Sequence, residues 1–151
     1  MRIYMVVIDE TEEAKLALRF ASRRAAKTGG NVHILALVPK ADFVAWGGVQ
    51  ATMEAEALAR AEELVAAAAG ALFEESGLQP IISVKTGMGP EIVRQMLEDY
   101  ADITALVLGA AATGAPGPLV TYFAGAHAGS LRCPVIIVPG SLNDEQIDAL
   151  S

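Results

Sequence analysis

The feature that most constrains the fold is an alternation of short apolar runs with longer amphipathic segments along the 151-residue chain. The first run, residues 3–8, is continuously apolar, as in strands that are buried on both faces of a sheet. The longer segments have apolar residues at helical spacing on one face. This alternation is typical of βαβ units, in which helices connect parallel strands. Strands are predicted at residues 3–8, 32–38, 81–84, 103–108 and 135–138.

Glycine and proline mark the ends of the helices predicted between these strands. Gly29 ends the first helix and Gly77 ends the second. Pro90 is predicted at the first position of the third, where its missing N–H removes no hydrogen bond. Helices are predicted over residues 11–28, 50–76, from 90 onward and over 119–131, with one or two further helical turns within 143–150.

The predicted elements give a single α/β domain. With right-handed crossovers, the five strands form one doubly wound parallel sheet of order 3-2-1-4-5 with helices on both faces. We expect this domain to cover residues 1–140, and residues 141–151 to form a tail that contains the short helix. Ligands of such sheets bind beyond the carboxyl ends of the strands, where the strand order reverses. Here that rule selects Asp9, after strand 1, and Gly109, after strand 4.

Charge and cysteine content exclude several classes of protein. A net charge of −7 and a pI of about 4.7 oppose nucleic-acid binding, which depends on Lys and Arg replacing counterions. Cys133 is the single cysteine, so no internal disulfide forms, in agreement with a reducing compartment. The chain has no secretory signal pattern and no apolar stretch of membrane-spanning length. We therefore expect a soluble cytoplasmic protein with no nucleic-acid or membrane partner.

Four local sequences resemble, in the same order, those of the universal stress protein family. The resemblance extends over nearly the whole chain and implies the same doubly wound fold. The four sequences are VVIDET at 6–11, GMGPEI at 87–92, ADITALVLG at 101–109 and CPVIIVP at 133–139.

The glycine signature of that family is altered in this chain. Members that bind ATP have G-x-x-G, nine residues and then G-[S/T], because glycines let backbone N–H groups approach phosphate oxygens. The first glycine is present as Gly109, and the final pair falls one residue closer to it than the signature requires. The departures are Ala112 at the second glycine and Thr121-Tyr122 at the final pair, with further glycines at Gly114 and Gly117.

The resemblance implies a bound adenine nucleotide, ATP, ADP or AMP, with or without Mg²⁺. Asp9 would contact the ribose or the base, and the backbone of Leu37 would lie near the adenine. Gly109 would approach phosphate. The altered loop would add the remaining site residues, Ala112, Gly114, Gly117, Thr121 and Tyr122.

Each of these assignments has a structural alternative. Asp9 either binds a ligand hydroxyl or uses its carboxylate on backbone amides to close the turn into the first helix. The loop over residues 109–117 either binds an anion or forms a long turn shaped by its glycines and prolines. Phe43 and Trp46 either cover a ligand as a lid or anchor their loop to the domain.

The remaining chemistry-bearing residues predict neither a metal site nor a nucleophile. His33 and His127 have no Cys or carboxylate cluster at ligand spacing, and no G-x-S-x-G elbow is present. No residue has the setting of a dedicated general base, so at most slow ATP hydrolysis is expected. Two functions stay open: a nucleotide-binding regulator, and a ligand-free dimeric interaction module.

The last strand predicts a subunit contact. It would form an edge of the sheet, and bare edges promote unwanted pairing. In the family that the chain resembles, this strand commonly pairs with its copy in a second subunit. We therefore expect a homodimer through Val135, Ile136, Ile137 and Val138.

Overall fold

A computed structural model of the chain describes residues 1–40 and 47–151. The predicted lid or anchor residues Phe43 and Trp46 lie outside this described part. Strands and helices alternate along the chain as the sequence predicts. The strands are β1 Ile3–Ile8, β2 Asn31–Val38, β3 Ile81–Thr86, β4 Ile103–Ala110 and β5 Val135–Pro139. The helices are α1 Glu12–Thr28, α2 Gly47–Ser76, α3 Gly89–Asp99, α4 Pro118–Ala124 and α5 Asp144–Leu150.

The strands form one parallel sheet of order β3-β2-β1-β4-β5, which confirms the predicted topology. β1 lies at the centre and pairs with β2 on one side and β4 on the other. The strand order reverses between β1 and β4, so the carboxyl ends of these strands diverge into helices on opposite sides of the sheet.

A hydrophobic core lies on each face of the sheet, as predicted for a doubly wound fold. The first core lies beneath α1, α2 and α5, and the second lies beneath α3 and α4. Alanines form the buried face of α1, and their small side chains let the helix backbone approach the strands closely. The fully buried members of that face are Ala17, Ala21 and Ala25.

α1 begins and ends at the residues that the sequence indicates. Thr11 is the N-cap, and its hydroxyl oxygen accepts a 3.2 Å hydrogen bond from the backbone N–H of Ala14. Glu12 and Glu13 place negative charge in the first turn, where the helix dipole favours it. Gly29 ends the helix in the left-handed conformation, with φ 65°.

The predicted helix over residues 119–131 is wrong in length. α4 ends at Ala124, and a single 3₁₀ turn, Ala128–Ser130, follows. Gly125 leaves helical geometry, with φ −96° and ψ −133°. Because glycine is destabilising inside helices, Gly125 and Gly129 oppose continuation of the helix through this segment.

α5 packs against α1 and enlarges the first core. Ile147 is fully buried there, and Asn143 and Gln146 form a capping box at the start of the helix. The Arg19 guanidinium donates two hydrogen bonds, of 2.7 and 2.8 Å, to the carboxylate of Asp148. These bonds hold the pKa of the Asp148 carboxyl below its usual range.

Candidate functional site

A cleft of about 790 Å³ opens beyond the carboxyl ends of β1, β2 and β4. Its volume lies within the range of small-molecule sites. α1 and α2 contribute to one side, and the turns that precede α3 and α4 contribute to the other. The lining is predominantly apolar, with a few charged side chains at its rim. Among the apolar lining residues are Val7, Ala36, Leu64, Pro90 and Leu119.

The structure divides the predicted site residues into two groups. Asp9, Leu37, Gly109 and Gly117 line the cleft, so residues from four separate segments are brought together. The other four are not among the residues that line the cleft, and they are Ala112, Gly114, Thr121 and Tyr122.

Asp9 closes the turn into α1. Its Oδ1 atom accepts a 2.9 Å hydrogen bond from the backbone N–H of Thr11 and a further bond from the Thr11 hydroxyl. These bonds fix the carboxylate at the rim of the cleft, and the residue as a whole remains exposed. The turn-closing role and a ligand contact are therefore compatible, because a carboxylate has lone pairs on both oxygens.

Gly109 allows close packing between β4 and the first turn of α1. A Cβ atom at this position would overlap the carbonyl oxygen of Glu13 and lie 2.5 Å from the carbonyl carbon. Such contacts are impossible without movement of the backbone. The glycine at the first signature position therefore has a packing role, which no sequence pattern within its own loop indicates.

The loop after β4 is shaped by internal hydrogen bonds and by left-handed backbone. The N–H of Ala111 donates to the carbonyl oxygen of Pro116 at 3.1 Å. Gly114 and Gly117 have φ of 72° and 119°, values that favour glycine. The N–H and the hydroxyl of Thr121 both donate to the carbonyl oxygen of Gly117, at 3.0 and 3.1 Å.

Tyr122 belongs to a cluster of side chains from α3, α4 and the segment after α4. Its ring stacks on that of His127, with ring centres 4.1 Å apart and an interplanar angle of 9°. Nε of Arg94 donates a 3.1 Å hydrogen bond to the Tyr122 hydroxyl. These contacts occupy the aromatic face and the hydroxyl of Tyr122 with protein groups.

Among the described residues, two cationic side chains that were not predicted as site residues also line the cleft. Lys40 follows β2, and Arg60 lies on α2. Both are exposed. Arg60 lies three residues after Ala57 and four before Leu64, which also line the cleft, so helical spacing places all three on one face. That spacing is the sequence signal that could have identified Arg60.

The surroundings of His33 and Cys133 indicate structural roles for both side chains. His33 is fully buried, and its Nε2 atom lies 2.8 Å from the hydroxyl oxygen of Ser83. Burial lowers the pKa of the His33 imidazole and raises the pKa of the Cys133 thiol.

Within residues 1–40 and 47–151, no group of three or more His, Cys, Asp or Glu residues is arranged to hold a metal ion. No helix in the same residues combines the length and apolarity needed to cross a membrane.

The five-stranded doubly wound sheet, with a cleft where the strand order reverses between β1 and β4, defines the structural class of this protein. Within that class, the family model of the universal stress protein family matches residues 1–139. The chain therefore belongs to the universal stress protein family. A search of curated protein sequences finds no match.

Solved structures of universal stress proteins share this fold. Universal stress protein UspA from Lactobacillus plantarum is 17% identical and aligns over 91% of this chain and 97% of its own, with a TM-score of 0.77. An Archaeoglobus fulgidus universal stress protein in complex with dAMP is 18% identical over 91% and 96%, with a TM-score of 0.56. An Arabidopsis thaliana family member with AMP bound is 15% identical over 97% and 95%, with a TM-score of 0.58.

Proposed function

We propose that this protein is a cytoplasmic regulator that binds an adenine nucleotide in the cleft beyond β1 and β4 and acts through binding. The observation that carries the proposal is the cleft itself, which lies at the switch point of the sheet and brings Asp9, Leu37 and Gly109 together. The two structural relatives that contain dAMP and AMP support the class of ligand. ATP, with or without Mg²⁺, belongs to the same proposal.

The chemistry of the cleft suits a nucleoside. Its apolar walls provide surface for a purine ring, and the resemblance implies that the backbone of Leu37, a residue that lines the cleft, would lie near the ring. The Asp9 carboxylate, held by Thr11, is an acceptor for ribose hydroxyl groups. From the resemblance, Gly109 stays the predicted phosphate contact, with Thr121 and Tyr122 as hydrogen-bond donors. The predicted nucleotide-binding residues of the altered loop stay Ala112, Gly114 and Gly117, of which Gly117 lines the cleft.

Thermal unfolding with and without AMP tests nucleotide binding. AMP at about 100 times its dissociation constant adds roughly 2.7 kcal/mol to the free energy of unfolding. That should raise the midpoint by about 5 to 10 °C for a domain of this size. We expect Asp9→Ala to abolish most of the shift, measured against the variant's own midpoint without ligand. ADP and ATP, each with Mg²⁺, extend the series.

A matched control separates the ligand contact of Asp9 from its role in the turn. Thr11→Ala removes the N-cap hydroxyl and its bond to Asp9, at a cost of about 1 kcal/mol, yet keeps the backbone N–H that holds the Asp9 carboxylate. It should lower the midpoint and keep the shift with AMP. An unchanged midpoint with all nucleotides, in wild-type protein free of co-purified nucleotide, would instead favour the ligand-free interaction module.

A homodimer through β5 is the second part of the proposal. β5 pairs with β4 along one side, and among the described residues no strand pairs with its other side. Ile137 is 38% exposed on this edge strand, and Val135 and Ile136 are half-buried. Pairing with a second copy would bury these side chains and satisfy the free backbone groups of the edge.

Substitution of one residue on each edge strand tests the dimer. Ile137→Lys should give a monomer, because it places a charge within the proposed contact. Ile82→Lys is the matched control, since Ile82 is 48% exposed on β3 at the opposite edge of the sheet. The control should sediment like the wild type at micromolar concentration. A monomeric wild type, or an Ile137→Lys variant that stays dimeric, would contradict the proposed contact.

A further inference from the structure

Building on the proposed function, we propose that the anionic group of the nucleotide binds to Lys40 and Arg60, on the β2–α2 side of the cleft, and not to the loop after β4. Three features carry this assignment. They are the acidic groups on the β1–β4 side, the internal bonding of the loop after β4, and two cations on the opposite side that form no ion pair with any described residue.

The β1–β4 side of the cleft is acidic. Glu10 and Glu13 line it together with Asp9, and α1, which carries Glu13, packs against β1 and β4. Glu13 is half-buried, and its Cβ atom would lie 3.2 Å from a Cβ atom added at Gly140, the residue that follows β5. A phosphate at Gly109 would share this region with three acidic residues. Repulsion between like charges is strongest where water is excluded.

The loop after β4 has no cationic side chain to balance that repulsion. Residues 109–122 contain no Lys, Arg or His. The N–H groups of Ala111 and Thr121 donate to carbonyl oxygens of the same loop and are not free to bind a phosphate. Tyr122, which occupies one position of the signature pair, accepts a hydrogen bond from Arg94 and stacks on His127.

The β2–α2 side of the cleft carries the opposite charge. Lys40 directly follows β2 and Pro39, and Arg60 projects from α2, which packs against β2 and β3. Neither side chain forms an ion pair among the described residues. A guanidinium group forms bidentate hydrogen bonds with a phosphate, and a lysine adds a point charge beside it. Two cations that line the same cleft are therefore complementary in charge to a phosphate whose nucleoside contacts Asp9.

Calorimetric titrations with AMP and with adenosine test the assignment, because these probes differ only in the phosphate. Wild-type protein should bind AMP about tenfold more tightly than adenosine, the lower end of the range for a hydrogen bond to a charged group. Arg60→Gln and Lys40→Gln should each reduce this preference and leave the affinity for adenosine unchanged. Arg60→Lys should retain part of it. Added salt should weaken AMP binding and leave adenosine binding unaffected.

Arg2→Gln is the matched control, because it removes the same charge from an exposed residue at the opposite end of β1. It should retain the full preference for AMP. If AMP and adenosine bind equally well, or if both glutamine variants keep the wild-type preference, the assignment of the phosphate is overturned while nucleotide binding stands. If neither probe binds the wild type, the proposed function fails and this inference fails with it.

Discussion

Gly109→Ala is expected to lower the free energy of unfolding by about 3 kcal/mol or more, at the upper end of the cost of overpacking. The added methyl group would overlap the backbone of Glu13, and backbone cannot rotate away as a flexible side chain can. Either β4 or the first turn of α1 has to move, and both belong to the centre of the fold. For a protein with a typical stability of about 5 to 15 kcal/mol, this is a large fraction of the total. Urea denaturation of the purified variant measures the change.

Gly70→Ala is the matched control for this substitution. Gly70 lies inside α2, nothing lies within 4 Å of its added Cβ atom, and its φ is not positive. The same chemical change should therefore stabilise the protein by about 0.5 to 1 kcal/mol, because alanine is the better helix former. Equal midpoints for the two variants would show that the contact between β4 and α1 is not tight.

The packing role of Gly109 also affects how its variants should be interpreted. Loss of nucleotide binding in a Gly109 variant would follow from displacement of α1, which carries the capping turn of Asp9 and Thr11. Such a loss would say nothing about phosphate. Variants of Lys40 and Arg60 are more informative, since both side chains are exposed and can be replaced without disturbing the core.

The fold was predictable because its signals are local and periodic. The apolar run at residues 3–8 and the alanine spacing of α1 each determine an element without reference to the rest of the chain. Once five such strands alternate with helices, the handedness of the crossovers leaves few sheet orders. The length of α4 was not predictable in this way. Apolar spacing continued past Gly125, and glycines at this spacing are tolerated in some helices and end others.

The candidate site was predictable only in outline. The switch-point rule located Asp9 and Gly109 beside one cleft, because the rule depends on topology alone. The role of Gly109 against Glu13 and the stacking of Tyr122 on His127 depend on contacts between segments that no local pattern reports. Arg60 was predictable in part. Its spacing from Ala57 and Leu64 predicts a shared helix face, but the sequence does not show that this face lines the cleft.

Arg132 belongs to none of the sequence motifs and contributes to stability through contacts between segments that are distant in sequence. It lies in the segment before β5, and its guanidinium group reaches the end of α3 and the start of β4. The last carbonyl groups of a helix have no partner within the helix, and a cation there also interacts favourably with the helix dipole. The guanidinium donates four hydrogen bonds of 2.7 to 3.2 Å, to the carbonyl oxygens of Leu97, Tyr100, Ala101 and Ile103.

Arg132→Gln should therefore destabilise the protein by about 2 kcal/mol, the scale of losing hydrogen bonds that involve a charged group. Arg132→Lys should recover only part of this loss, because a point charge cannot reach carbonyl groups that a planar guanidinium spans. Arg60→Gln is the control: it removes the same charge from an exposed arginine without an ion pair among the described residues, and should change stability by less than about 0.5 kcal/mol. Urea denaturation compares the three variants with the wild type. Similar midpoints for Arg132→Gln and Arg60→Gln would show that the bonds at the end of α3 contribute little, and that water replaces the guanidinium there.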